Sequence, residues 1–297
     1  MRLSRQNVEQ IVRQARAENT RPDFSNSDLS GVDLSWIDLS WAILDGADIR
    51  SSNFKGATLF GISLWTTKLD ETTVIEEKWC TVWRVVNEDV TGKDLRAIDL
   101  RFADLSGANL CGADLRTAKL ELVDFRNTTI DQKTQMDEKW RLVWQIVNQP
   151  IDDAEVRGKD VSFANLSEVN FSGKDLFGTN FTGTNLRDAN LSKATLSGAF
   201  FNSASLIWAD LYQADLTRTD LSQANFCRAN LEGASLIGAD GRKANFSNAN
   251  LKNASLKWAN LEGATFTKAQ LEGTDLREAN LTGVNVEGVE FEQALLY

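Results

Sequence analysis

The sequence predicts an all-β solenoid built from five-residue units that wind four to a turn. An apolar residue recurs at every fifth position over three stretches, Phe24 to Val74, Leu95 to Ile130 and Val161 to Leu296. This period matches neither a helix nor a conventional strand, so each unit must be a short side followed by a corner. Phenylalanines at a spacing of 20, such as Phe226, Phe246 and Phe266, predict four units per coil with their rings stacked.

Each unit repeats the same polarity pattern around its apolar centre. The residue two positions earlier is small, as Ala209 is before Leu211, and the residue between them is usually Asp or Asn. Side chains two apart on an extended segment point the same way, so the small residue and the centre face inward and the polar residue faces solvent. Glycines such as Gly46 often end the corner, where the backbone needs a positive φ. The outward Asp and Asn columns are interpreted as structural, with Asn separating like charges and offering hydrogen bonds between coils.

Gly241 is the one repeat centre that is not apolar. Two interpretations are open. Either the coil has a hole there, or the backbone leaves the repeat and presents Arg242 and Lys243.

Three segments interrupt or precede the repeats. Residues 1–20 predict a helix that Ser4 caps, and this helix is expected to cover the open N-terminal end of the solenoid. Inserts at 76–91 and 132–157 share a Trp-x-x-Val-Trp pattern, which begins at Trp79 and again at Trp140, and predict two short amphipathic helices. Either helix covers apolar surface of the coils or binds a partner. The repeat blocks are then 21–75, 92–131 and 158–297.

The unit Ala-(Asp or Asn)-Leu-x-x, almost undisturbed from Ala189 to Leu281, resembles the pentapeptide repeat family. The resemblance implies a right-handed quadrilateral β-helix, and the Trp-containing inserts are similar to those of cyanobacterial members. It implies no common chemistry, because members of this family share none.

Composition argues against several classes of function. A net charge of −10 is unfavourable for binding nucleic acid, which needs clustered Lys and Arg. The absence of histidine removes the commonest general base and metal ligand, and no catalytic motif occurs, so no enzyme, cofactor or metal site is expected. Three scattered cysteines, no apolar leader and no apolar run of membrane-spanning length favour a cytoplasmic protein.

A protein-binding scaffold or adaptor is therefore expected, in a regulatory or assembly role in a bacterium. The alternative follows from the resemblance, since some family members mimic duplex DNA and protect DNA gyrase from its inhibitors. Such mimicry favours continuous negative stripes, whereas Arg187, Arg228 and Lys252 interrupt the acidic residues here.

Large aromatic residues at outward corner positions are the candidate partner-binding residues, because exposed aromatic clusters commonly mark interfaces. These residues are Trp36, Trp41, Phe60, Trp65, Trp208, Tyr212 and Trp258, and Phe177 is also outward at a corner by register. Trp41 and Phe60 are expected side by side on adjacent coils. For the first group, cover by the helix of Trp79 or Trp140 is the competing interpretation, whereas Trp208 and Trp258 have no evident internal partner.

The C-terminal repeats predict a second contact, because they run to Leu296 with no capping segment after them. An uncovered solenoid end is prone to association, and a two-fold contact closes without forming fibres. A homodimer through Phe291, Leu295, Leu296 and Tyr297 is therefore expected. The competing possibility is a monomer in which Leu295 and Tyr297 fold over the last coil.

Overall fold

The computed structural model describes residues 2–150, 152–289 and 294–295, and the chain divides into two compact units, Met1–Asp137 and Glu138–Tyr297. The first unit contains helices α1 (Arg5–Glu18) and α2 (Glu77–Asn87). The second contains helix α3 (Glu138–Asn148) and the single turn α4 (Asp153–Val156). The remaining extended residues pair as isolated parallel bridges between successive coils.

Four five-residue units make one coil in both units. Bridges join positions 20 apart, as in Asp28 with Asp48 and Asn225 with Asn245. The predicted aromatic stack is confirmed, since the rings of Phe226 and Phe246 lie 5.0 Å apart and within 8° of parallel. This separation is close to the ~4.8 Å spacing of neighbouring strands. The centres form the core, and Leu206 and its equivalents on other coils are fully buried.

Hydroxyl groups replace methyl groups at some of the small inward positions without leaving polar atoms unpaired. The Oγ1 atoms of Thr179 and Thr184 donate to the carbonyls of Val156 and Val161, each at 3.0 Å. Both threonines are fully buried. These inward hydroxyl groups thus tie one coil to the coil before it.

The outward Asp and Asn residues build the corners and the columns. Asp23 accepts from the backbone N–H of Ser25 at 2.8 Å, an Asx turn that recurs around the coils. Asn amides also bridge successive coils, as Asn250 Nδ2 does to Asn230 Oδ1 at 3.1 Å. These bonds bear out the interpretation of the columns as structural.

Helix α1 begins at the predicted cap and lies against the first coil. Ser4 and Asn7 form a reciprocal capping box, and Val8 is fully buried. Arg5 donates to the carbonyls of Asp33 and Ser35, both at 3.0 Å. The predicted N-terminal helix therefore packs on the first coil and satisfies part of its exposed backbone.

Helix α2 also satisfies backbone groups of a coil. Trp83 Nε1 donates to the Thr67 carbonyl at 2.7 Å, and Asn87 Nδ2 donates to the Leu64 carbonyl at 2.9 Å. Trp79 in α2 and Trp140 in α3 are both buried. These two tryptophans are packing residues of their helices.

The repeat slips by one position next to the inserts. Val74, predicted as an inward centre, instead bridges Asn53 at the outward position and is 53% exposed. The prediction was wrong because the last bridge of this block spans one position more than the bridge before it, which joins Asp48 to Lys68. Val90 and Val156, which lie outside the predicted repeats, are buried centres that restart the coils.

The backbone at Gly241 stays within the repeat, so the displaced-loop interpretation is wrong. Gly241 N–H donates to the Asn260 carbonyl at 2.7 Å, and its φ lies outside the left-handed region. Leu261 leans into the space, because a Cβ added at Gly241 would lie 2.9 Å from Leu261 Cδ2. The hole is therefore partly filled by a neighbouring side chain.

Among the residues that the structure describes, no helix has the length and apolar character to cross a membrane.

Candidate partner-binding surface

The tryptophan face is the most exposed aromatic feature of the first unit. We define it as residues 36–41 of one coil and residues 56–61 of the next. Trp36 and Trp41 end consecutive five-residue units, so they lie at the two edges of one side of the same coil. Trp36 is 75% exposed and Trp41 is 37% exposed, and both have positive φ.

Both tryptophan rings lie over glycines of the following coil. A Cβ added at Gly56 would lie 2.5 Å from Cε3 of Trp36, and one added at Gly61 would lie within 2.8 Å of three ring atoms of Trp41. Any side chain at these glycines would displace the rings. Two tryptophans five residues apart are therefore matched, one coil later, by two glycines five residues apart. This sequence pattern allows the two indoles to lie at the two edges of the face.

Arg21 organises the edge on which Trp41 lies. Its guanidinium donates to the carbonyls of Trp41 at 2.8 Å and Gly61 at 3.3 Å, and to Asp104 Oδ2 at 3.3 Å. Asp104 is buried, and burial raises its pKa, with further raising by Asp124 and opposing effects from Ser106 and Arg21. Arg21 therefore holds this corner through backbone carbonyls and forms no hydrogen bond with the indole ring of Trp41.

Phe60 continues the same edge. As predicted, it is adjacent to Trp41, whose backbone N–H donates to the Phe60 carbonyl at 2.7 Å. The Phe60 ring stacks on Phe102 of the next coil, with centroids 4.5 Å apart. Lys78 of helix α2 lies 5.6 Å from the Phe102 ring, so α2 reaches the end of this edge while Trp36 stays exposed.

Exposed carboxylates flank Trp36. Asp33 and Asp38 have side chains that are 61% and 62% exposed. Arg5 lies 3.9 Å from Asp33, and Arg16 lies 3.6 Å from Asp38, both longer than hydrogen bonds. Hydrogen bonds from the Ser35 side chain and backbone lower the pKa of Asp33. At neutral pH the surroundings of the tryptophan face therefore include accessible negative charge.

Trp65 is less available than its sequence position suggested. It is half-buried, and its Nε1 donates to the Ser106 carbonyl at 2.7 Å. Its ring also lies 3.4 Å from the position of a Cβ added at Gly107. Trp65 therefore pins two coils together at a corner that is not part of the tryptophan face.

In the second unit, Trp208 and Trp258 have internal partners that were not predicted. Arg228, on the next coil, lies 4.8 Å from the Trp208 ring, and Lys257 lies 4.2 Å from the Trp258 ring. Both contacts could have been predicted from the sequence, because Arg228 follows Trp208 by one coil and Lys257 is adjacent to Trp258. The expectation that these tryptophans lack internal partners was wrong.

A shallow groove runs beside Trp208. Its lining includes Arg228, Asn230, Glu232 and Asn250. Tyr212 ends the same side of its coil and is half-buried. Trp258 belongs to a different corner, so the structure brings Trp208 and Tyr212 to one side and separates Trp258 from them.

Of three exposed phenylalanines of the second unit, Phe177 was predicted as an outward corner residue, whereas Phe163 and Phe200 were not. Phe163 is also a corner residue, and Phe200 takes the outward position where most units have Asp or Asn. Phe163 lies over Gly183, in the same way that Trp36 lies over Gly56. An aromatic corner residue followed one coil later by Gly would have identified it.

Of the predicted dimer residues, Leu295 lies within the described part of the chain, and Phe291, Leu296 and Tyr297 lie outside it. Leu295 bridges Asp275 at the outward position and is 52% exposed. The C-terminal dimer stays a prediction.

Arginines two residues after an aspartate neutralise parts of the outward columns. In Asp99–Arg101 and Asp275–Arg277 the closest nitrogen and oxygen atoms are 2.6 and 2.7 Å apart, and the arginine's hydrogen bonds lower each aspartate pKa to about 2. The same spacing pairs Asp48 with Arg50, Asp94 with Arg96, Asp114 with Arg116, Asp124 with Arg126, and Asp240 with Arg242. These pairs offset part of the negative charge of the columns, so the surface is not continuously negative.

The chain is similar to several proteins of known structure. It is 25% identical to HetL, a pentapeptide repeat protein involved in heterocyst differentiation regulation in the cyanobacterium Nostoc sp. PCC 7120, over 96% of this chain and 95% of that chain, with a TM-score of 0.22. A pentapeptide repeat protein of the Arabidopsis thaliana thylakoid lumen is 30% identical over 44% of this chain and 74% of its own, with a TM-score of 0.11. QnrB1, a plasmid-mediated fluoroquinolone resistance protein, is 23% identical over 47% of this chain and 87% of its own, with a TM-score of 0.29.

No curated protein sequence matches the chain. The family model described as pentapeptide repeats matches eight times, at residues 23–61, 94–132, 154–183, 164–203, 184–223, 204–240, 219–257 and 254–293. These matches cover well over half of the sequence and coincide with the coils. The chain therefore belongs to the pentapeptide repeat family.

Proposed function

We propose that this protein is a non-enzymatic scaffold that binds another protein through the aromatic residues at the coil corners of its first unit. The observation that carries the proposal is the tryptophan face. Two indoles are held over Gly56 and Gly61, and Trp36 leaves 75% of its surface to solvent. Exposing an indole to water is unfavourable in free energy, and tryptophan is enriched among the residues that contribute most to binding at protein interfaces.

A catalytic role finds no support in the geometry. The corner carboxylates are engaged in Asx turns and in pairs with arginine, as in Asp48 with Arg50. Such groups hold the backbone and are poorly placed to transfer protons. We infer that the protein acts by positioning its partner in an assembly or regulatory role in a bacterium, and that its working compartment is the cytoplasm.

Affinity capture with chemical cross-linking from the native host tests the proposal. The bait proteins are the wild type and a variant carrying Trp36→Ser and Trp41→Ser. The matched control is Phe177→Ser, an aromatic corner residue of the second unit that is also about half exposed. We expect a partner that the wild type and the control retain and the double variant loses. A partner captured equally by all three baits would overturn the proposed site.

DNA mimicry is the second candidate, because the pentapeptide repeat family includes DNA mimics. Pairs such as Asp114–Arg116 weigh against it, because they remove net charge from the columns that would imitate a phosphate backbone. Gyrase supercoiling assays decide between the candidates. Protection of gyrase from a quinolone by the added protein would replace the scaffold proposal with the mimic.

A further inference from the structure

We propose that the tryptophan face binds a basic segment of its partner, with arginine or lysine side chains seated on the rings of Trp36 and Trp41. This inference rests on the proposed scaffold function, because it specifies the chemistry of the partner at the same surface. The supporting observation is that other tryptophans of the chain have a cation over the ring or a hydrogen bond from the indole N–H.

A cation lies over the ring of several tryptophans. Lys78 lies 4.8 Å from the Trp79 ring, and Lys139 lies 5.0 Å from the Trp140 ring. In the same way Arg228 covers Trp208 and Lys257 covers Trp258. The negative face of an indole attracts a cation, so this fold repeatedly stabilises its tryptophans with Lys and Arg.

The remaining tryptophans divide into two groups. Trp65 and Trp83 donate their indole N–H groups to backbone carbonyls, and Trp144 is also engaged. Within residues 2–150, 152–289 and 294–295, Trp36 and Trp41 have neither a cation over the ring nor a hydrogen bond from the indole N–H. They are thus the two tryptophans left for a cation from outside the chain.

Two exposed carboxylates beside the face, each within 4 Å of an arginine of helix α1, can also meet a basic ligand. Asp38 lies on the outward position between Trp36 and Trp41, and Asp33 lies one unit before Asp38. Both carboxylates are more than half exposed, and their contacts with Arg16 and Arg5 exceed 3.5 Å. With a net charge of −10, the protein also attracts basic ligands at long range.

The shape of the face favours an extended segment. The floor between the glycines holds Thr58, an uncharged residue that bridges Asp38, and the rings lie at the two edges. On an extended peptide, side chains two apart point to the same side and are ~7 Å apart. A segment with two basic residues at that spacing presents both to the same face.

Two peptides on the unmodified protein test the proposal. The probes are acetyl-Gly-Arg-Gly-Arg-Gly-amide and the same peptide with citrulline, a neutral isostere of arginine. The readout is the indole ¹⁵N–¹H signals of Trp36 and Trp41, assigned with Trp36→Phe and Trp41→Phe. We expect saturable shifts of both signals with the arginine peptide and a roughly 5- to 30-fold weaker affinity for the citrulline peptide.

Two variants locate the effect. Asp38→Asn is expected to weaken the arginine peptide several-fold and to reduce the salt dependence of binding. Trp258→Leu is the control, since Lys257 already covers that ring, and it is expected to leave the affinity unchanged.

Equal affinity for both peptides would overturn this inference while leaving the scaffold proposal intact, because the face would then accept a neutral segment. No shift with either peptide would also overturn it. The cross-linking capture described above does not depend on these peptides, so its failure would instead count against the proposed function.

Discussion

The glycine beneath Trp41 gives the sharpest prediction about how the tryptophan face is built. Gly61→Ala places a methyl group within 2.8 Å of three ring atoms of Trp41, so the indole has to leave its place. The substitution also forces alanine into a left-handed conformation, since φ at Gly61 is +65°. Both effects lower the free energy of unfolding.

A matched substitution separates the two effects. Gly31 has φ of +69° and no heavy atom within 4 Å of an added Cβ, so Gly31→Ala should cost about 1 kcal/mol from backbone conformation alone. Displacing an indole re-exposes on the order of 100 Å² of apolar surface, which at ~25 cal/mol per Å² corresponds to ~2.5 kcal/mol. Gly61→Ala should therefore cost about 3 to 4 kcal/mol.

A double-mutant cycle with Trp41→Ala, followed by urea unfolding, measures the ring contribution directly. In the Trp41→Ala background, the loss of unfolding free energy caused by Gly61→Ala should equal that caused by Gly31→Ala, because no ring remains to be displaced. If Gly61→Ala and Gly31→Ala cost the same in the wild-type background, the proposed packing of the indole on the glycine is refuted.

Three further predictions concern the coils. Gly241→Ala should raise the free energy of unfolding by about 0.4 to 1 kcal/mol, because φ at Gly241 suits alanine and the Leu261 side chain can shift aside. A loss of stability in urea unfolding would contradict this and show that Leu261 cannot move. Thr184→Val should lower the free energy of unfolding by about 0.5 to 1.5 kcal/mol, because the Val161 carbonyl loses the hydroxyl and keeps only the Ala164 backbone N–H, and an unchanged urea midpoint would contradict the inward hydroxyl bond. Arg277→Gln should return the Asp275 pKa from about 2 toward its ordinary 3.8, measured by NMR titration. Since the folded pKa is lowered, the stability from this pair is present above about pH 4 and lost toward pH 2, and a pKa unmoved by the substitution would refute the pairing.

The coils were predictable because every unit repeats the same physical requirements. The five-residue period, the inward Ala and the stacked Phe226 and Phe246 follow from alternation along a short side and from the parallel ladder. The slip at Val74 was not predictable. It arises where helix α2 replaces a continuing coil, and no local propensity marks the extra position between Asn53 and Val74.

The candidate surface was predictable in part. Corner register identified Trp36, Trp41 and Phe60 as outward residues, and all three are exposed. It did not reveal that Trp65 bonds to a carbonyl of a later coil, since that contact depends on how the chain resumes after helix α2. Phe200 was missed because it occupies a column of Asp and Asn.

Residue columns explain contacts that were not predicted from the order of residues along the chain. Positions 20 apart lie on adjacent coils, so Arg228 meets Trp208, and Gly56 lies beneath Trp36. Reading such a sequence down its columns, as well as along the chain, identifies which aromatic residues are covered within the fold and which remain for a partner.

Site-specific photo-cross-linking tests the central claim, that the partner docks on the tryptophan face. p-Benzoyl-phenylalanine replaces Trp36 in one protein and Val74 in another; Val74 is a 53% exposed residue of the same unit outside the face. Illumination in cells of the native host should yield a covalent adduct with one partner protein at position 36 and none at position 74. Equal labelling at both positions, or no adduct at position 36, would contradict the account.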